Sequence, residues 1–270
     1  MPPKSTLARF RRLVVTWFRK HGRDLPWRQT RDPYRVLVSE FMLQQTQVSR
    51  VEGFYHRFLA EYPDLGALAA ATPTMVRESW EGLGYYRRAT NLHRLAQTVV
   101  ADLSGAIPTD VEALRALPGV GRYTAGAVAS FAFEQAEPAV DTNVARVLKR
   151  AFYPRARATA KDQHKLWATA AALVPRPGPT AWAFNQGLME LGALVCTARE
   201  ARCPICPVRQ LCLTGRVPST KRRVPSTPSP TAPSPRRTKP ASRAGRKSSR
   251  TGPASSEGHR TGRAGRPDRP

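Results

Sequence analysis

Apolar residues recur along most of this chain at the three- and four-residue spacing of helices, while strand-like alternation is scarce. Near the start, Leu7, Phe10, Val14 and Trp17 share one helical face, which predicts an amphipathic helix that packs this face inward. The stretch 34–48, following Pro33, reads as a second helix carrying Val36, Leu37, Phe41, Met42 and Leu43. Thr72-Pro73 has the form of an N-cap with proline at the first helical position. Thr109, Asp110, Val111 and Glu112 have capping-box spacing ahead of Leu114 and Leu117. A further apolar helix is expected over about 122–133. These signals predict an all-α protein of about ten helices joined by compact loops.

The pattern stops near residue 217. Beyond it come Pro, Ser, Thr, Arg and Gly with almost no large apolar side chain, so no core could offset the entropy of ordering. Residues 214–270 are therefore expected to form a disordered basic tail, either a solvated end or a source of salt-sensitive attraction to DNA. The 270-residue chain has a net charge of +25. Residues 217–270 hold 14 Lys+Arg against 2 Asp+Glu, a net +12, so +13 stays on residues 1–216. The rest of the chain is thus basic in its own right and suits a polyanion, although charge alone does not separate DNA from RNA or an anionic membrane. No apolar run reaches the roughly 18–20 residues that span a bilayer. The N-terminus also lacks the continuous apolar stretch of a secretory signal, and an Arg-rich transit peptide is the rival reading of its helix. A soluble cytoplasmic protein without membrane partners is expected.

All four cysteines, Cys196, Cys203, Cys206 and Cys212, fall in one short stretch spaced C-x6-C-x2-C-x5-C. Four thiolates gathered by a loop are what a [4Fe–4S] cluster needs. Two disulfides suit an intracellular chain poorly. A zinc site usually presents two close cysteine pairs, and only Cys203 and Cys206 form one here. Such a cluster could fix a loop whose Arg199, Arg202 and Arg209 face phosphate. Upstream, Leu117-Pro118-Gly119-Val120-Gly121 separates two expected helices and leads into Arg122. Glycines there allow a tight turn, and the amides opening the next helix could grip a DNA phosphate without reading sequence. Taken alone, it is better read as an ordinary interhelical turn.

Glycine hairpin, downstream aspartate and cysteine loop follow one another in the order of the endonuclease III superfamily. Ser39-Glu40-Phe41-Met42-Leu43-Gln44-Gln45-Thr46-Gln47-Val48, Gly82-Leu83-Gly84-Tyr85-Tyr86 and the LPGVGRYTAG string at 117–126 resemble the adenine-DNA glycosylases of the MutY family over roughly residues 7–213. The resemblance implies a two-lobed helix-hairpin-helix glycosylase fold with a [4Fe–4S] loop, acting as a monomer on double-stranded DNA in the nucleoid. Its substrate would be an adenine mispaired with 8-oxoguanine or guanine. Breaking the N-glycosidic bond puts positive charge on the sugar and negative charge on the departing base, so an acid and a stabilising anion are needed. By resemblance, Glu40 is the acid and Asp141 the anion. The plain alternatives are a surface glutamate and a helix N-cap. Tyr123 stands where the endonuclease III branch has a Schiff-base lysine, which implies hydrolysis without strand cleavage. Tyr123 and Asn143 match positions that support the aspartate and the nucleotide; ordinary packing is the alternative for Tyr123. The base must be flipped out of the duplex. Gln45 and Tyr85 match residues that wedge beside it, with Gln44 a neighbour, and the alternative for Tyr85 and Tyr86 is a place in the core. Leu117, Gly119, Val120, Gly121 and Arg122 would hold the backbone.

Most members of that family carry a second, β-containing C-terminal domain that recognises 8-oxoguanine, and this chain is expected to lack it. The expected division is an N-terminal helix (1–23) packing with the cluster lobe, a helical barrel with the hairpin (24–134), an iron–sulfur domain (135–213) and the tail. A thymine-excising relative and a non-catalytic lesion-binding protein are the rival functions; retention of both Glu40 and Asp141 favours an enzyme.

Overall fold

The computed structural model describes residues 1–216, and the expected basic tail lies outside the described residues. Eleven α-helices form among them: α1 (Lys4–His21), α2 (Pro33–Leu43), α3 (Val48–Glu61), α4 (Leu65–Ala70), α5 (Pro73–Ser79), α6 (Arg87–Asp102), α7 (Val111–Ala116), α8 (Arg122–Phe131), α9 (Thr142–Phe152), α10 (Ala160–Leu173) and α11 (Gly178–Leu194). Among the described residues, the sole β feature is an isolated bridge between Cys196 and Ala201. The expected all-α class is what forms.

Local chemistry sets most boundaries. Asp32, Asp64, Thr72, Asp110, Asp141 and Thr159 each accept a hydrogen bond from an amide in the first turn of the helix they precede. Three boundaries differ from the sequence reading. The cap of α7 is Asp110, whose carboxylate accepts from the Ala113 amide at 2.8 Å; the box starting at Thr109 is one residue early. The helix expected over 34–48 ends at Leu43, because Gln45 adopts a left-handed backbone (φ 58°) that an α-helix cannot continue through. Likewise α8 stops at Phe131 rather than near 133, ahead of Glu134 at φ 53°.

Apolar residues sort into two cores. One draws on residues 25–139 and centres on Trp80, Phe41, Phe58, Leu92 and Leu95, all under 2% exposed. The other combines the inward face of α1 (Leu7, Phe10, Val14, Phe18) with α9, α10 and α11. The N-terminal helix thus reaches across the sequence to pack on α11.

A buried ion-pair cluster ties the segment between α1 and α2 to α11. Arg23 donates to Glu190 from its main-chain amide and its guanidinium (2.7–3.0 Å), and Arg28 donates to the same carboxylate at 2.9 Å and to Gln186 at 2.8 Å. Trp27, next to Arg28, belongs to the first core, while α11 belongs to the second, so this cluster links the two. Burial alone would raise the Glu190 carboxyl, but the Arg23 and Arg28 hydrogen bonds overcome it and hold the group at about 2. Glu190→Gln leaves the Arg28 guanidinium buried without a carboxylate and is expected to cost about 3–5 kcal/mol in denaturant unfolding. The pair's contribution is complete above pH 4.5 and is lost as pH falls toward 2, so the gap between variant and wild type should close over that window.

Candidate active site and cysteine loop

Eight of the eleven residues of α2 are buried, and Glu40 is among them at 5% exposed. A surface glutamate is therefore excluded. Its one close polar partner is Tyr123 at the start of α8, whose hydroxyl donates to Oε2 at 2.7 Å. Burial is the main cause of a carboxyl pushed up to about 7; the Tyr123 hydrogen bond pulls it down, and the nearby negative charge of Asp141 pushes it up again. Tyr123 is itself raised well above its ordinary value, by burial and then by the two carboxylates, so it stays a hydrogen-bond donor.

Asp141 reaches this spot through a tight crossing of chain. The segment before it runs over α8 so closely that a Cβ on Gly126 would stand 2.3 Å from the Pro138 carbonyl oxygen. Any larger residue at 126 would force the 138–139 segment and α8 apart. Asp141 also caps α9: Oδ1 accepts from the Val144 amide at 2.6 Å, and Oδ2 accepts from the Asn143 side chain at 2.8 Å. Burial raises its carboxyl more than these hydrogen bonds lower it. The N-cap reading is correct and compatible with a site role, since the cap fixes the carboxylate beside Glu40.

The hairpin 118–121 joins α7 to α8. Gly119 has φ 77°, and a Cβ there would stand 2.7 Å from Asn91 and 3.0 Å from Phe41, so glycine is required. The side chains of Leu117 and Val120 point inward, at 5% and 6% exposed, and their amides bond to the Leu114 and Leu117 carbonyls. They shape the turn and offer no free donor to a phosphate. Gly121 opens α8 with no side-chain cap, leaving the first-turn amides of that helix unpartnered. Arg122 is exposed, and its guanidinium lies 3.9 Å from the Trp167 ring of α10.

Gln45 and Tyr85 lie exposed on two loops, Tyr85 at 60%, which excludes a core role for it. Both have left-handed backbones, φ 58° and φ 50°. Such conformations are costly for residues with a Cβ and persist where the surroundings enforce them. Gln44 is half-buried and its carbonyl points inward to Arg88.

After α11 the four cysteines line one pocket together with Arg150, Arg202, Arg209 and Gly215. None is paired in a disulfide. Sulfur atoms receive hydrogen bonds from protein: Arg150 donates to Cys196 Sγ at 3.3 Å and the Gly215 amide to Cys212 Sγ at 3.2 Å. Arg146, one turn earlier on α9, donates to the carbonyls of Cys196 and Gly192 at 2.8 Å and to Asn143 Oδ1 at 2.7 Å. The cysteine loop and the Asp141–Asn143 unit therefore share one guanidinium. Arg199, Arg202 and Arg209 are exposed on the loop.

Sequence reasoning missed Arg88, Arg146 and Arg150. A signal existed for each. Arg88 stands in the first turn of α6, where a cation opposes the helix dipole, and Arg146 and Arg150 share a face of α9 one turn apart.

Residues 38–171 match the profile of the HhH-GPD superfamily, described as base excision DNA repair proteins. The adenine DNA glycosylase of Mycolicibacterium smegmatis is 47% identical over 196 residues, covering 72% of this chain and 66% of that protein. The thymine-DNA glycosylase of Aeropyrum pernix is 38% identical over 213 residues, covering 78% of this chain and 96% of its own length. A solved structure of a thermostable thymine-DNA glycosylase superposes with a TM-score of 0.73 at 32% identity, covering 78% of this chain and 97% of that one. A helical fold in which hairpin, buried acid and capping aspartate converge defines a base-excision DNA glycosylase scaffold. The chain belongs to the HhH-GPD superfamily of base excision DNA repair proteins. It spans just under two thirds of the mycobacterial adenine DNA glycosylase.

The raised carboxyl of Glu40 has a consequence for stability. The folded state binds the proton more tightly than the unfolded chain does, so stability falls as pH rises from 4.5 through about 7. Glu40→Gln removes that penalty. Its melting temperature is expected to exceed that of wild type clearly at pH 8 and hardly at pH 5 in calorimetry. An equal gain at both would contradict a raised Glu40.

Proposed function

We propose that this chain is a monofunctional DNA glycosylase that hydrolyses the N-glycosidic bond of an adenine mispaired with 8-oxoguanine or guanine in double-stranded DNA. The observation that carries the reading is the buried Glu40 carboxyl, held by the Tyr123 hydroxyl at 2.7 Å and close enough to Asp141 to feel its charge. A carboxyl at about 7 keeps a proton available near neutrality for a ring nitrogen of the flipped base. As the bond breaks, its electrons leave with the protonated adenine and the sugar becomes an oxocarbenium ion. The Asp141 carboxylate stabilises that cation. Water adds to the sugar carbon, and the Glu40 carboxylate takes up the proton that water loses, which restores the acid. Tyr123 has no amine to form a Schiff base, so the strand stays intact. The uncapped amides of α8 and Gly121 would hold a phosphate, with Leu117, Gly119 and Val120 shaping the turn and Arg122 adding charge. Gln45 and Tyr85 would wedge beside the extruded base, with Gln44 behind them.

For the cysteines we propose a [4Fe–4S] cluster. Four thiols around one cavity, with main-chain and arginine donors aimed at sulfur, suit it. Among the described residues no group of three or more His, Cys, Asp or Glu is arranged to hold a metal ion, so the cysteine spacing and the shared pocket carry this reading. When bound, the cluster would cross-link the loop, and Arg199, Arg202 and Arg209 would face the DNA backbone. The division at the two cores, a monomeric state and a setting on nucleoid DNA in the cytoplasm complete the reading; no helix among the described residues is long and apolar enough to cross a membrane.

A second reading, removal of thymine mispaired with guanine, draws on the 38% identity to a thymine-DNA glycosylase matched over 96% of its length. The deciding experiment is single-turnover cleavage of duplexes holding A opposite 8-oxoguanine, G or C, and T opposite G, each developed with and without alkali. Adenine release that needs alkali to break the strand and is lost in Glu40→Gln is the expected result. Thymine release alone would replace the proposal, and strand breaks without alkali would overturn the role of Tyr123. Tyr123→Phe removes the hydrogen bond that lowers the Glu40 carboxyl. The alkaline fall in rate should therefore move to higher pH in that variant.

A further inference from the structure

Arg88, in the first turn of α6, is 6% exposed and has no carboxylate partner among the described residues. Main-chain carbonyls surround it instead. One guanidinium nitrogen donates to Phe41 (3.0 Å), Met42 (2.6 Å) and Gln44 (2.5 Å), the other to Leu83 (3.3 Å) and Gly84 (3.0 Å). The first three are carbonyls at the end of α2, which a helix leaves without partners and which carry the negative end of its dipole. The other two belong to the loop between α5 and α6.

Each set ends one residue before a left-handed backbone: Gln44 precedes Gln45 (φ 58°), and Gly84 precedes Tyr85 (φ 50°). The guanidinium also lies 5.4 Å from the Tyr85 ring and 5.6 Å from the Trp80 ring. Elsewhere the α5–α6 loop is held by Arg50 of α3, which donates to the Gly82 carbonyl. A lysine, as a point charge, could not serve both carbonyl sets at once; the planar fork of arginine can.

We infer that Arg88 is a positioning residue for base extrusion, one buried cation that presents Gln45 and Tyr85 together and fixes both relative to Glu40, whose helix ends in the same fork. The inference rests on the glycosylase reading for what the two residues do, and on geometry alone for what holds them. It differs from a purely stabilising role in one respect. A clamp for the wedge matters while the target base is stacked and matters little once the base is already out.

The test compares Arg88→Lys with wild type on adenine in a mispaired duplex and on adenine at a single-stranded gap in a duplex, where no opposite strand holds it in the stack. 2-Aminopurine at the target position reports extrusion through its brightening. Single-turnover excision from the mispaired duplex is expected to fall about 10- to 100-fold, the scale of a misplaced reacting group. Excision from the gapped duplex should stay close to wild type, with the alkaline limb of the pH profile unmoved and the brightening reduced. In a Tyr85→Ala background Arg88→Lys should add little, because both changes act on one step. Equal losses on the two duplexes, or additive losses with Tyr85→Ala, would overturn the inference. Gly84→Ala serves as a second probe should Arg88→Lys not fold. Its methyl would meet nothing within 4 Å, yet φ 73° strains it at a gripped carbonyl, and the same split between duplexes is expected; equal losses would again overturn the clamp. Wild type that brightens 2-aminopurine but releases adenine from neither duplex would sink the adenine reading and leave the clamp to be judged by brightening alone.

Discussion

The Glu40 carboxyl is kept from water, and the rest of the site depends on that exclusion. Desolvation lifts this group to about 7, against the pull of the Tyr123 hydrogen bond. That exclusion needs both cores. The first core buries α2 on nearly every side, and the close crossing at Gly126 leads into Asp141, near enough to Glu40 for its charge to be felt. The Arg23–Arg28–Glu190 cluster then ties the two cores together at a third place. Burial raises both carboxyls, and at Asp141 a helix N-terminus and an asparagine oppose that rise with hydrogen bonds.

Several residues serve structure and chemistry at once. Asp141 is both the cap of α9 and the carboxylate at the site, so its placement is set by helix geometry rather than by a flexible rotamer. Arg146 binds Asn143 and the Cys196 carbonyl together, which makes the order of the cysteine loop part of the order of the site. The two exposed wedge candidates carry backbone strain that buried arginine hydrogen bonds enforce from behind. Precision at the surface is built from satisfied carbonyls beneath it.

Much of this was legible in the residues. Helical spacing identified the all-α class, capping chemistry located the start of α5, and the cysteine spacing singled out the loop that proves to line one pocket. What stayed hidden was non-local or backbone-borne. Periodicity carried the second helix through Gln44–Gln47 because those residues are acceptable helix formers; what ends it is a left-handed turn secured by an arginine more than forty residues away. Leu117 and Val120 belong to a hairpin string whose glycines suggest surface contact, yet their side chains fill the core. The roles of Arg88, Arg146 and Arg150 consist largely of bonds to main-chain carbonyls, which no side-chain pattern in a sequence records.

The central claim, that burial holds the Glu40 carboxyl protonated near neutrality, is most directly tested by a carboxyl titration. Isotope-edited infrared or carbon NMR spectra of the folded protein across pH 4–9, with Glu40→Gln subtracted, would isolate this one group. A protonated carboxyl that persists to about pH 7 before ionising is the result the account predicts. Ionisation complete by about pH 5, as for an ordinary glutamate, would contradict it and leave the site without its acid.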